Sequence, residues 1–449
     1  MFDIFGTLST GSQMISVFFL LLLLRVPVAF SLGLSAIYAM WHMGFGLDLA
    51  GDLIATGITK FSLLAIPFFI LAGTLMGRLG IADRMIRFFR VLVGGLPGGM
   101  GIVGTVVCLF WGAVSGSGPA SVAAIGPMII KGMEEDGYRK AYAAGLVCTG
   151  AALSIVIPPS IGLVIYGVIA ETSISKLFMA AILPGLMMGG LMIVTLPWGR
   201  VKNAGAAGSS GLSSEPSVMS MGDNPYPQLG YAGRLWASFK DSFWGLLTPV
   251  VILGGIYAGV FTPTEAALVA TIYALLVGAV IYKTLSIKKL YESVSDAAAS
   301  SAVVMLVVAY ASLFGWVVTV DDLVGTYSSM LLGMSNNEWV VLLVIMLILL
   351  IIGMFMDAVT VMFISLPVFL PIVHQLGWDP VWFGVLVMIN LSIGLITPPV
   401  GINLYVAANV TGLSIEKIAR GTFICVGACL VGLALVAFFP QISMLLVSQ

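Results

Sequence analysis

Asn390-Leu391-Ser392-Ile393-Gly394-Leu395-Ile396-Thr397-Pro398-Pro399-Val400-Gly401-Ile402-Asn403 is a stretch that no regular helix can traverse. Its two consecutive prolines remove two backbone donors and leave the preceding carbonyls without helical partners. Yet it lies inside an apolar run, about 381–410. The same arrangement occurs earlier, as Ser154-Ile155-Val156-Ile157-Pro158-Pro159-Ser160-Ile161-Gly162 within a run over about 141–170. Lipid offers an orphaned backbone group no partner, so a break at membrane depth must line protein or enclosed water.

Working outward, further apolar runs lie near 14–40, 61–77, 101–131, 177–199, 243–260, 266–282, 299–320, 339–371 and 418–447. Each is long enough to cross about 30 Å of hydrocarbon as a helix. The chain of 449 residues is 60% hydrophobic and 9% charged, with a mean hydropathy of +1.12. A soluble domain carries about 25% charge and needs a polar skin. No ten-residue alternating segments suggest a β-barrel. The reading is an all-α integral membrane protein. The run over 14–40 is too long for a signal-peptide core and reads as a retained first span. A net charge of −1 recruits no nucleic acid. Cys108, Cys148, Cys425 and Cys429 sit in apolar runs and read as small buried hydrophobes, and two histidines are too few for a zinc site. The segments 78–98 and 284–297 are amphipathic and read as helices lying in the membrane interface.

The two halves match at an offset of 240 residues: Pro127 with Pro367, Gly137-Tyr138 with Gly377-Trp378, Leu146-Val147 with Leu386-Val387, and Pro158-Pro159 with Pro398-Pro399. Matches at one register that land on the same punctuation point to duplication. Five crossings separate Pro127 from Pro367, an odd number, so the second copy is inverted. Charge agrees. Arg78, Arg84, Arg87, Arg90, Lys131, Arg139 and Lys140 surround the 101–131 segment, whereas Asp321, Asp322, Glu338 and Asp379 surround 339–371. The positive-inside rule puts the first set in the cytoplasm and the second outside. Both segments must then enter and leave by one face. Each has a breaker-rich centre, Ser115-Gly116-Ser117-Gly118-Pro119 in one and Gly353-Met354-Phe355-Met356-Asp357 in the other. They read as re-entrant hairpins; the alternative is one kinked helix each. The expected organisation is a first half over 1–199 with a hairpin at about 101–131 and a broken helix at about 141–170. A cytoplasmic polar loop over 200–242 follows. Scaffold and interfacial helices cover 243–298, and the inverted second repeat 299–449 has a hairpin at about 339–371 and a broken helix at about 381–410.

Freed carbonyls together with Ser, Thr and Asn oxygens make a hard, neutral cage, suited to Na⁺ rather than a transition metal. Half-helix ends add partial charges of either sign. Asp357 is an intramembrane carboxylate and functional by default. It can ligate a cation, carry a proton or contact solute. Glu265, in Thr262-Pro263-Thr264-Glu265, reads as part of a capping box at a helix start.

The combination of Ser115-Gly116-Ser117-Gly118-Pro119-Ala120, Gly137-Tyr138, Ile157-Pro158-Pro159-Ser160 and Thr397-Pro398-Pro399-Val400-Gly401-Ile402-Asn403-Leu404 resembles the large membrane subunit of TRAP (tripartite ATP-independent periplasmic) transporters, over nearly the whole chain. The resemblance implies the inverted-repeat fold of the ion-transporter superfamily, with a scaffold and a mobile elevator domain. It implies Na⁺ as coupling ion and no other cofactor. It further implies a small four-helix membrane subunit, a periplasmic binding protein delivering an organic acid, and residence in the bacterial inner membrane, with a length that fits the unfused large subunit. By position, one ion site would use Ser115, Ser117 and the carbonyls around Ile157, Pro158 and Ser160. The other would use Asp357, Thr360, Gly394 and Thr397, with Asn403 close by. Gly116, Pro159, Asp357 and Pro398 would face the solute.

Other classes are disfavoured. No Gly-x-x-x-x-Gly-Lys-[Ser/Thr] loop is present, so any ATPase would be a separate chain. No central His, Gly-x-Ser-x-Gly or carboxylate pair suggests an enzyme. Within transport, H⁺ coupling through Asp357 without a binding protein is the competing reading.

Overall fold

The computed structural model describes residues 9–93, 99–201, 229–335 and 337–447. Among them the elements are helices: α1 (Thr10–Leu23), α2 (Val28–His42), α3 (Leu47–Ile58), α4 (Ala65–Arg78) after a 3₁₀ turn Phe61–Leu64, and α5 (Ile81–Val93). The first repeat continues with α6 (Gly99–Ser115), α7 (Gly118–Glu135), α8 (Lys140–Ala152), α9 (Ile161–Ile169) and α10 (Ile174–Val194). Then come α11 (Tyr231–Tyr257), α12 (Pro263–Leu276), α13 (Ile287–Val320) and α14 (Leu323–Met334). The second repeat ends with α15 (Glu338–Gly353), α16 (Ala358–Gln375), α17 (Pro380–Gly394), α18 (Ile402–Thr411) and α19 (Ile415–Phe438). Seven of the described helices are long and apolar enough to cross a bilayer. The first halves of the broken helices and the first arms of the hairpins are shorter apolar pieces.

Both expected hairpins are helix pairs, α6–α7 and α15–α16, and both Pro-Pro segments divide a helix, α8 from α9 and α17 from α18. Gly137 and Gly377 both take φ in the left-handed region, +84° and +69°, where each hairpin hands over to its broken helix. That is why this matched pair is glycine. The helices form two packing groups. In one, α2, α3 and α4 pack around the long α13, α12 packs on α4, and α5 on α11. In the other, the hairpins and broken helices pack with α10 and α19. Contacts of α13 with α16 and of α4 with α6 join the groups.

Four expectations change. The run over 14–40 is two antiparallel helices, α1 and α2, tied by Tyr38 Oη donating to Gln13 Oε1 at 3.1 Å. The turn between them is made by Arg25 at φ +64° and by Pro27. The α3 helix was not expected at all. The segment 284–297 is no separate interfacial helix, because it runs into α13, which is 34 residues long. No proline interrupts it, and Ser293, Ala297 and Ser301 form a small-residue stripe that buries against neighbours. The place equivalent to α5, between a long helix and a hairpin, is held by α14. Of the polar loop over 200–242, residues 202–228 lie outside the described residues, and from Tyr231 the chain is already α11. There Asp241 accepts from Arg84 Nε at 3.0 Å and from Arg87 Nη2 at 3.3 Å, so charges that look solvated in sequence are an interhelical pair. Residues 94–98 at the end of the other amphipathic segment also lie outside the described residues. The four cysteines are free and buried.

Candidate functional site

Each hairpin tip rests on the break of its own repeat, and at both contacts a glycine permits the approach. A Cβ on Gly112, near the end of α6, would stand 2.8 Å from Ser154 Cα. A Cβ on Gly394, at the end of α17, would stand 2.7 Å from the Gly353 carbonyl carbon. In the second junction the Gly401 N–H also donates to Met354 O at 3.1 Å, stitching break to tip.

The expected residues take distinct places. The side chain of Ser115 lies outside the described residues. Gly116, at φ +62°, makes the turn into α7, and Ser117 stands at the N-cap position of that helix. Ile157, Pro158 and Pro159 form the first link. Ile157 packs on Gly185 of α10, and both prolines are buried. Ser160 caps α9, with its Oγ accepting from Leu163 N at 3.4 Å and donating to Ile155 O at 2.6 Å. Asp357 caps α16. Its Oδ2 accepts from Thr360 N at 3.1 Å and its Oδ1 from Thr360 Oγ1 at 2.6 Å. Thr397 Oγ1 donates to Ile393 O at 2.6 Å, and Pro398 and its neighbour Pro399 are exposed. The side chain of Asn403 turns away from the second junction. Its Nδ2 donates to Cys148 O at 3.0 Å, the Asn403 backbone carbonyl accepts from Cys148 Sγ at 3.4 Å, and its side-chain amide touches Gly118 at the start of α7. Thus the second broken helix reaches into the first repeat.

Among the described residues, the buried oxygens without a hydrogen-bond partner include three in the two broken helices: Ser154 Oγ, Asn390 Oδ1 and Asn403 Oδ1. Asn390 is otherwise anchored, its Nδ2 donating to Met346 O at 2.7 Å, one turn before Gly394. Orphaned acceptors are costly in an apolar interior unless something fills them. Together with carbonyls at the ends of α6, α8, α15 and α17 they are a donor set for a hard cation. Among the described residues no group of three or more His, Cys, Asp or Glu could hold a metal. Sequence reading quoted Ser154 and Asn390 within the two breaks but did not single them out. A polar residue in an apolar run, one turn from a break, was the available signal.

Between the two packing groups lies a cavity of about 580 Å³. Its walls include Ser117, Pro119 and Asp357 from the tips, Ile161 and Ile402 from the second halves of the broken helices, and Arg78 from α4. The starts of two hairpin arms, α7 and α16, and of two half-helices, α9 and α18, therefore open on one space. Arg78 pairs with Glu292 and Asp296 of α13. Trp111 also lines the cavity, and its buried Nε1 has no partner. Nothing in the sequence distinguished Trp111 from other aromatics in apolar runs.

Residues 15–442 match the tripartite ATP-independent periplasmic transporter, DctM component. The C4-dicarboxylate TRAP transporter large permease protein DctM of Rhodobacter capsulatus is 34% identical over 443 residues, covering 95% of this chain and 96% of that protein. The sialic acid TRAP transporter large permease protein SiaM of Vibrio cholerae is 36% identical, covering 95% and 96%. The isethionate TRAP transporter permease protein DctMQ of Oleidesulfovibrio alaskensis is 38% identical over 95% of this chain, which spans 65% of that longer relative. In fold, the chain is similar to the YdaH transporter of Alcanivorax borkumensis, with a TM-score of 0.59 at 15% identity over 88% of each chain. With its apolar helices, paired hairpins and broken helices, this multi-pass inner-membrane chain belongs to the DctM component family of tripartite ATP-independent periplasmic transporters.

Proposed function

We propose that this chain is the ion-coupled permease of a three-part importer, carrying an organic acid inward with Na⁺. The observation that carries the reading is the convergence of two tip–break junctions, holding orphaned buried oxygens, on one cavity that four helix N-termini face. Half-helix C-termini and neutral oxygens suit Na⁺, and N-termini suit the acid group. Ser154, Asn390 and the carbonyls at each break are the ion ligands, with Thr397 at the second. The solute occupies the cavity. Alternating access follows from its position between packing groups: the hairpins, broken helices, α10 and α19 move as an elevator against α1–α5 and α11–α13. A small four-helix membrane subunit and a periplasmic binding protein complete the system.

The competing reading, H⁺ coupling through Asp357 without a binding protein, is less well supported, because Thr360 already engages both carboxylate oxygens. Uptake of a panel of organic acids into proteoliposomes holding the chain and its small partner tests both. Uptake that needs the binding protein and an inward Na⁺ gradient supports the proposal. Uptake driven by a pH gradient alone, without the binding protein, replaces it with the alternative.

A further inference from the structure

The helices α5 and α11 run antiparallel along one seam. At one end Tyr231 Oη donates to Leu92 O at 3.2 Å, and towards the other Gly245 packs on Ile81 and Met85. Between these contacts Asp241 accepts from Arg84 and Arg87. Arg90 follows Arg87 by one turn of α5, and Arg234 precedes Asp241 by two turns on the same stripe of α11. Lys240 stands on a neighbouring face of α11, its Nζ 5.7 Å from the centre of the Trp236 ring. Among the described residues Arg90, Arg234 and Lys240 have no acidic partner.

The surroundings do not neutralise these three. Glu292 and Asp296 hold Arg78, Arg84 and Arg87 share Asp241, and Asp83 is the remaining carboxylate of α5. Lys283 follows α12, and the chain between Val201 and Leu229 carries Lys202 against Glu215 and Asp223. With all of them included, eight basic residues face six acidic ones, and two positive charges are in excess. The group also lies at the depth of lipid headgroups. Trp236 is 60% exposed, and Phe243 and Trp244, one turn past Lys240, are exposed as well. Exposed Trp side chains mark the level where hydrocarbon gives way to headgroups. Lys240 is about 6 Å from Trp244 along the helix axis. Trp236, Lys240, Phe243 and Val250 share one stripe of α11, so the cation leads directly onto an outward apolar strip. The positive-inside rule assigns this end of both helices to the cytoplasm.

We propose that the cytoplasmic end of the α5–α11 pair is a binding surface for anionic phospholipids, whose phosphates meet Arg90, Arg234 and Lys240 while their acyl chains lie along Phe243 and Val250. Charge complementarity selects the headgroup, and the apolar strip that starts one turn away selects a lipid over a free anion. None of the three basic residues lines the solute cavity, so the inference does not rest on the coupling reading. Because α5 packs on α6 of the first hairpin, lipid held here braces the helix pair against which that hairpin rests.

The test is lipid retention by native mass spectrometry, on the full chain purified with its small membrane partner and offered equal amounts of phosphatidylglycerol and phosphatidylethanolamine with the same acyl chains. The unaltered complex should retain phosphatidylglycerol at least about fivefold better. The triple variant Arg90→Gln, Arg234→Gln, Lys240→Gln should bring the two lipids within about twofold. Arg90→Lys with Arg234→Lys, which keeps the charge, should retain the preference. So should Lys131→Gln, Lys140→Gln, Lys288→Gln, which removes as much charge elsewhere. Glycerol 1-phosphate, the headgroup without chains, should not compete at equal concentration. No preference in the unaltered complex, a preference that survives the triple variant, or one lost equally in the lysine and control variants overturns the inference. Competition by glycerol 1-phosphate would make the surface a site for free phosphate esters. A preference found only after the small partner is removed would give the surface to that partner. Either result also overturns the inference.

Discussion

The two junctions follow one backbone plan and fill it with different chemistry. In the first, Pro158 and Pro159 are buried, Ile157 packs on α10, and the Ser160 hydroxyl caps the outgoing half-helix. In the second, Pro398 and Pro399 are exposed, the outgoing half-helix starts at Gly401 with φ +57°, and a backbone bond to Met354 ties it to the tip. The caps are exchanged between repeats. The hairpin is uncapped and the break capped in the first, while the hairpin is capped by Asp357 and the break uncapped in the second. Duplication keeps what the backbone needs, glycine contacts and paired prolines. Side chains are free to diverge, and here they give one junction a neutral cap and the other a carboxylate.

The sharpest way to break the comparison is at the glycine contact of the second junction. Gly394→Ala sets a methyl against the Gly353 backbone, which cannot move like a side chain. It should lower stability by about 3 kcal/mol and abolish uptake. Thermal unfolding and uptake near the unaltered values would show that the tip does not rest on this break.

Next comes the bridge between the repeats. Asn403→Leu keeps the volume and leaves Cys148 O without the amide donor. A loss of about 2 kcal/mol in the thermal unfolding of the purified protein is expected. An unchanged midpoint would mean that the two repeats are not tied at this point.

A smaller effect separates the two caps. Ser160→Ala removes the side-chain cap of α9 and should cost about 1 kcal/mol. Asp357→Asn substitutes one good cap for another and should cost only a few tenths of a kcal/mol. Measured side by side, a larger stability loss for Asp357→Asn than for Ser160→Ala would reverse the assignment of a structural cap to the first junction and a charge-bearing one to the second.

Legibility followed locality. The hairpins and breaks were readable because Gly, Ser and Pro interrupt apolar runs that otherwise propagate as helix. Inversion was inferred from the odd span count and the distribution of Arg and Lys, which are properties of the chain itself. The reading failed where a local signal was ambiguous. Arg25-Val26-Pro27 in an apolar run passes for a kink, yet it turns the chain back on itself. Lys288 and Lys289 among apolar residues mimic an interfacial helix, although nothing after them stops α13 from continuing.

By itself the sequence determined that this is an all-helical membrane protein with two interrupted helices and two interrupted hairpins. These follow from apolar length, from donors that proline lacks and from conformations that only glycine adopts cheaply, all of them set within a few residues. Tertiary structure decided that Asn403 meets Cys148, 255 positions away, that Arg84 and Arg87 share Asp241, and that four helix starts face one cavity. An apolar helix in lipid has little hydrophobic pattern to say which of its faces meets which neighbour, so those partnerships are fixed only when small residues and buried polar atoms find their complements in the packed bundle.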